Sequence, residues 1–160
     1  MSSPVLSFIK TTQEQRLFAD ELASLKNALY QDQAHFDEVL NGLRPQIAKA
    51  LATELSASSD SREDYLNGLL EELQRIQTIG LTLAFEPSNA TINKIYDWIA
   101  SHTTTPTLID IDVNPRILGG VIIVSKGTYS DFSVKKMVDH YLSEHKTDII
   151  QNLNTNKRIS

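Results

Sequence analysis

Along the first half of the chain the apolar positions recur with helical spacing. Phe18, Leu22, Leu25 and Leu29 fall at i, i+4, i+7 and i+11, which makes one stripe on one helix. Thr12 stands where it can cap that helix, with Gln15 three residues on as a capping-box partner. A second helix is expected from near Gln33, carrying Phe36, Val39, Leu40 and Leu43. Gly42 and Pro45 interrupt it. Pro45 lacks a backbone N–H, so it is read as the first turn of a third helix, with Ile47, Leu51 and Leu55. Ser56 to Ser59 form a polar break. Asp60, with Glu63, then caps a fourth helix whose face is Tyr65, Leu66, Leu69, Leu70, Leu73 and Ile76. Helices with one apolar stripe cannot bury it alone, so the four are expected to form a small bundle.

After Thr78 the period changes. Ile79, Leu81, Leu83 and Phe85 alternate with Gly80, Thr82 and Ala84, the period of a strand, until Glu86-Pro87 stops it. Ser88 caps a helix with an inner face of Ile92, Ile95, Tyr96 and Ile99. A Thr-rich turn from His102 to Pro106 leads to a second strand, in which Ile109, Ile111 and Val113 alternate with Leu108, Asp110 and Asp112. Asn114-Pro115 ends it. Ile117-Leu118-Gly119-Gly120 leads into the apolar run Val121 to Val124. Lys126-Gly127 signals a hairpin turn, with Thr128-Tyr129 returning as a short strand. Ser133 caps a last helix through Val134, Met137, Val138, Tyr141 and Leu142. Beyond His145 only Ile149, Ile150 and Leu153 are apolar, which suits either a frayed helical extension or a disordered tail.

The expected fold class is therefore α+β. A small N-terminal helical bundle, residues 1–77, precedes a small mixed-sheet α/β domain, residues 78–145, ordered strand–helix–strand–hairpin–helix. A polar tail, 146–160, follows. The first crossover is long enough to join parallel strands and should be right-handed.

Charge sharpens the division. The 160 residues carry a formal net charge of −5. Residues 1–77 hold 7 Lys+Arg and 12 Asp+Glu, a balance of −5, while residues 78–160 hold 8 of each. This argues against general nucleic-acid binding. The acidic excess reads as a solvated face or a docking surface. There is no Cys, which removes disulfides, thiolate metal sites and a Cys nucleophile. Met1 to Lys10 shows no basic region followed by an apolar core, so no signal peptide is expected. No apolar run approaches the roughly 18 residues that cross a bilayer, so any membrane association is expected to come through a partner.

Catalytic chemistry is hard to find. Gly119-Gly120 has no Gly-Lys-Ser/Thr after it and runs into a strand rather than out of one, unlike a phosphate loop. The four histidines, 35, 102, 140 and 145, lack metal-site spacing apart from His140–Glu144, which reads as an exposed polar pair. Asp110 and Asp112 share a strand face. Paired carboxylates can do acid–base work, but no nucleophile or oxyanion donor is readable beside them.

One stretch carries a resemblance. Val113-Asn114-Pro115-Arg116-Ile117-Leu118-Gly119-Gly120-Val121-Ile122-Ile123-Val124 is similar to a segment of the delta subunits of F-type ATP synthases and of their mitochondrial counterpart, the oligomycin-sensitivity-conferring protein. In that family an apolar strand, a Pro beside an acidic or amide residue, an aliphatic-Gly-Gly step and a second strand come in this order. A turn and Asp-x-Ser opening a helix follow, here Asp131-Phe132-Ser133. The resemblance covers about residues 78–145. The helical part before it is shorter than the family's.

The resemblance implies a non-catalytic stator subunit without a cofactor. It would hold the catalytic head still while the central stalk turns, by joining the head to the membrane-anchored b subunits. It would then sit peripherally on the cytoplasmic face of the cell membrane. It also implies that residues 78–145 bind the C-terminal end of the b subunit without the bundle, while the bundle is the part that would meet the alpha subunits. The motif residues concerned are Asn114, Pro115, Ile117, Leu118, Gly119, Gly120, Val121, Asp131 and Ser133. The Gly pair has two readings, a turn needed for folding and a partner contact. Two other functions stand beside this one. An E-type stalk subunit of V/A-type ATPases also shows Leu-Gly-Gly before a strand, but it has a long continuous N-terminal helix, which the breaks at Gly42, Pro45 and Ser56 to Ser59 oppose. A small regulatory or ligand-binding α/β module is the other.

Overall fold

The structure, a computed structural model, describes residues 3–146. The expected 146–160 tail, apart from Lys146, lies outside the described residues. A short 3-10 helix, Pro4–Phe8, precedes four α-helices: α1 (Thr12–Leu29), α2 (Gln33–Gly42), α3 (Pro45–Ala57) and α4 (Arg62–Arg75). Then come β1 (Gln77–Leu83), α5 (Asn89–His102) and β2 (Thr107–Val113). A second 3-10 helix, Pro115–Ile117, leads to β3 (Gly120–Ser125), β4 (Thr128–Ser133) and α6 (Val134–Glu144). This is the α+β order expected, helices first and a mixed sheet after them.

The chain forms two compact units. The first is Met1–Thr78 with Asn93–Asp110; the second is Ile79–Ile92 with the chain from Ile111 onward. The divisions fall inside β1, α5 and β2.

The first unit owns a continuous apolar core. Phe18, Leu22 and Leu25 of α1, Phe36 of α2, Ile47 and Leu51 of α3, and Leu66, Leu69 and Leu73 of α4 are all buried. The stripes are thus satisfied by one another. Val5, Leu6 and Ile9 of the N-terminal segment join them, although the periodicity did not single these out. Glu54 fixes that segment. Its carboxylate accepts the Val5 N–H at 3.0 Å and the hydroxyls of Ser3 and Tyr65. Leu108 belongs to the same core and Ile109 is fully buried, so β2 begins with both faces covered. The Ile109 N–H donates to the Lys10 carbonyl at 2.9 Å, and Thr11 bridges Ile109 as a parallel partner.

Two helix starts differ by one residue from the sequence expectation. Thr11, not Thr12, caps α1, in a full capping box with Glu14. Thr12 instead donates its hydroxyl to Asp110 at 2.5 Å. Ser61, not Asp60, caps α4 and accepts the Asp64 N–H. A capping residue must stay extended while its side chain reaches the N–H three residues on, and adjacent polar residues make that choice ambiguous in sequence. Pro45 opens α3 as expected. Ile76 lies one residue beyond α4 in extended geometry.

Among the described residues the sheet has four strands, in the order β2-β1-β3-β4. β3 pairs antiparallel with β1, from Gly80 opposite Val124 to Leu83 opposite Val121. It pairs antiparallel with β4, from Gly120 opposite Ser133 to Ser125 opposite Thr128. The Asn114 N–H donates to the Leu83 carbonyl at 2.7 Å, so the chain leaving β2 meets the end of β1, as parallel strands require. β1 stops at Leu83, and Phe85, expected on its inner face, is exposed.

Candidate functional site

The motif residues of the second unit gather where the 3-10 turn, the start of β3 and the start of α6 meet. Asn114 opens the turn: its side-chain oxygen accepts the Arg116 N–H at 3.0 Å. Pro115 occupies the first turn position, where its missing N–H costs nothing. Ile117 is buried. Leu118 takes a left-handed conformation, φ 65°, its N–H closing the turn on the Pro115 carbonyl at 3.1 Å. That conformation is costly for a branched side chain and leaves Leu118 68% exposed.

Gly119 and Gly120 each have a local reason. The Gly119 carbonyl accepts the N–H of Val134, the first residue of α6, at 3.0 Å. A Cβ on Gly119 would stand 3.1 Å from the Val134 side chain. Gly120 has φ +78°, and a Cβ there would stand 2.2 Å from the Phe132 carbonyl oxygen. No side chain fits such a gap. The pair lets the backbone of β3 lie against the β4–α6 junction, with Val121, half-buried, as the next rung opposite Phe132.

Asp131 and Ser133 complete the junction from the other side. The Asp131 carboxylate accepts the Ser133 N–H at 2.9 Å. Ser133 is buried, and its hydroxyl oxygen accepts the Lys136 N–H at 3.1 Å, capping α6 as expected. The Ser133 hydroxyl first, and its backbone N–H second, hold the Asp131 carboxyl below its ordinary value. All nine motif residues therefore serve one turn, one strand start or one helix cap.

What that cap starts is a helix with nothing buried. Val134, Met137, Val138, Tyr141 and Leu142 recur at i, i+3, i+4, i+7 and i+8 along α6 and are between 41% and 66% exposed. Its polar residues pair among themselves, Lys135 with Asp139 at 2.5 Å and His140 with Glu144 at 3.4 Å. Tyr129 and Phe132 on β4 are exposed as well. Neither aromatic is among the nine motif residues read from the sequence. Their signal was an aromatic pair flanking the Asp131 of the motif on an edge strand.

His140 and Glu144, read from the sequence as an exposed polar pair, lie exposed at i, i+4 on α6, with His140 Nε2 3.4 Å from a Glu144 carboxylate oxygen. Among the described residues, no three His, Cys, Asp or Glu side chains converge to hold a metal.

The first unit holds a packed helical core, and the second carries an amphipathic helix whose apolar side is uncovered, the kind of exposed apolar patch that marks an interaction surface. The family model of the ATP synthase delta (OSCP) subunit matches residues 5–144, and the chain belongs to that family. It is thereby a peripheral-stalk subunit of an F-type ATP synthase. The match takes in α1 to α4 as well as the C-terminal part in which the sequence resemblance was seen. A search of curated proteins finds no match.

Proposed function

We propose that this subunit joins the catalytic head to the membrane-anchored b subunits, and that the C-terminal end of a b-subunit helix docks on α6 and the Asn114–Val121 turn. The exposed stripe of α6 carries the reading. A five-residue apolar face at helical spacing matches the face that a second amphipathic helix offers. The helical bundle, with its acidic excess, is assigned to the alpha subunits of the head.

In this role the subunit does no bond chemistry. A rotary synthase makes ATP only if the head is held against the torque of the turning stalk. Rigid elements suit that load, and the Gly119–Val134 and Asp131–Ser133 contacts tie α6 to the sheet at its root. No helix among the described residues is long and apolar enough to cross a membrane. Attachment to the cytoplasmic face of the cell membrane is accordingly assigned to b.

Calorimetry with the full chain and a peptide from the C-terminal end of the cognate b subunit tests this. The full chain is the right reagent because residues 93–110 group with the first unit. Binding at about micromolar affinity or tighter is expected. Val138→Asp should weaken it at least about tenfold, the size of one lost apolar anchor replaced by a charge. Absence of binding, or binding that ignores α6 substitutions, would move the b site elsewhere.

A further inference from the structure

The chain contains the dipeptide Asn-Gly twice, at Asn41-Gly42 and at Asn67-Gly68. The same chemistry is available to both. The Gly N–H nitrogen attacks the Asn side-chain carbonyl carbon, forming a C–N bond and expelling ammonia. Water then opens the five-membered imide at either carbonyl, giving Asp or its β-linked isomer. No oxidant or cofactor enters; one water is consumed and one ammonia released. Glycine favours the step because no side chain shields its nitrogen.

The two sites differ in how easily the backbone reaches the attacking geometry. Gly42 is the last residue of α2, and both it and Asn41 are exposed. A Cβ on Gly42 or on Gly68 would meet nothing within 4 Å, so room for a side chain does not separate the two sites. The next residue, Leu43, is already extended, and its N–H reaches back only to Leu40 at 3.3 Å, a tightened terminal turn. Freeing the Gly42 nitrogen requires opening that turn alone. Asn67-Gly68 sits in the middle of α4. Asn67 is half-buried, and its side-chain oxygen accepts the Lys26 Nζ at 2.6 Å. It lies between the buried Leu66 and Leu69, so opening the helix there disturbs the core.

We propose that Asn41 is a site of spontaneous deamidation and isoaspartate formation in the folded protein, and that Asn67 is protected from the same reaction by its position in α4. The product adds a negative charge at the C-terminal turn of α2, where the helix dipole disfavours it. The isomer also lengthens the backbone just before Arg44, which pairs with Glu21 at 2.9 Å, and Pro45, which starts α3. The modification therefore acts on the α2–α3 turn.

The test is prolonged incubation of the full chain at neutral pH and 37 °C (a physiological temperature), followed by peptide mapping that resolves Asp from isoaspartate. Folded protein should deamidate at Asn41 at least about tenfold faster than at Asn67, because opening is nearly free at frayed ends and approaches global unfolding in a core helix. In denaturant the two should converge. Gly42→Ala, which fits the open space, should slow Asn41 while circular dichroism stays unchanged. Equal rates at the two sites in the folded protein, or no reaction at Asn41 while the denatured control reacts, would overturn the proposal.

Discussion

Helices α4 and α6 read almost alike in sequence. Each has a serine cap, and each carries apolar residues at i, i+3 or i+4 along one side. In the structure their fates are opposite. Leu66, Leu69 and Leu73 of α4 are 3% exposed or less, while the α6 stripe has no buried member. The difference is in the surroundings. α4 lies in a bundle where other helices bring stripes of their own, and α6 follows a β-hairpin whose nearby aromatics are themselves exposed. Amphipathic spacing fixes which side of a helix seeks cover; it does not supply the cover. In one unit the cover is intramolecular, and in the other it is assigned to a partner.

The largest expected effect tests this contrast directly. Leu66→Ala removes a fully buried side chain and should cost about 2–5 kcal/mol of stability. Met137→Ala on α6 should cost no more than about 0.5 kcal/mol, as for other exposed positions. Urea unfolding followed by circular dichroism measures both. Similar losses would mean that α6 is already covered in the free protein.

Next in size is the root of α6. Gly120→Val places a β-branched side chain where a Cβ would collide with the Phe132 carbonyl, at a positive φ. It should cost about 1–3 kcal/mol at least and should also weaken b-peptide binding by displacing the helix start. Gly127→Ala, in the hairpin turn with open space around it, pays only for its φ of +77°, roughly 1–2 kcal/mol at most. Equal melting temperatures for Gly120→Val and the parent would show that the close approach at this junction does not matter.

The smallest effect is electrostatic. Asp131 has a folded pKa held below its ordinary value of 3.8. Its contribution is therefore present above that value and is lost as pH falls through the lower, folded one. Melting measured between about pH 5 and pH 2 should lose part of its acid dependence in Asp131→Asn. Contact with solvent screens the carboxylate and keeps this change small. An unchanged acid profile would remove Asp131 from the support of the α6 cap.

Much of this architecture is legible without coordinates because its signals are local. The periods separate helix from strand at Gln77–Ile79, Pro45 marks a helix start, and Lys126-Gly127 marks a hairpin. The misread caps at Thr12 and Asp60 concern neighbours of equal capping ability, so only the backbone could choose. The burial of Val5, Leu6 and Ile9 is not legible in the sequence, because a short segment shows no period and its cover, anchored by Glu54, comes from far along the chain.

The candidate site shows the same division at finer scale. The sequence by itself determined that Gly119-Gly120 precedes a strand, that Ser133 opens a helix and that this helix has one apolar side, because each depends on residues a few positions apart. Tertiary structure alone decided that the Gly119 carbonyl receives the first N–H of α6, that the missing Gly120 side chain makes room for the Phe132 carbonyl, and that the apolar side of α6 stays uncovered. Those outcomes depend on which distant backbone arrives at the same place. Spacing along a chain encodes the periodicity of an element, but not the partner that its surface meets.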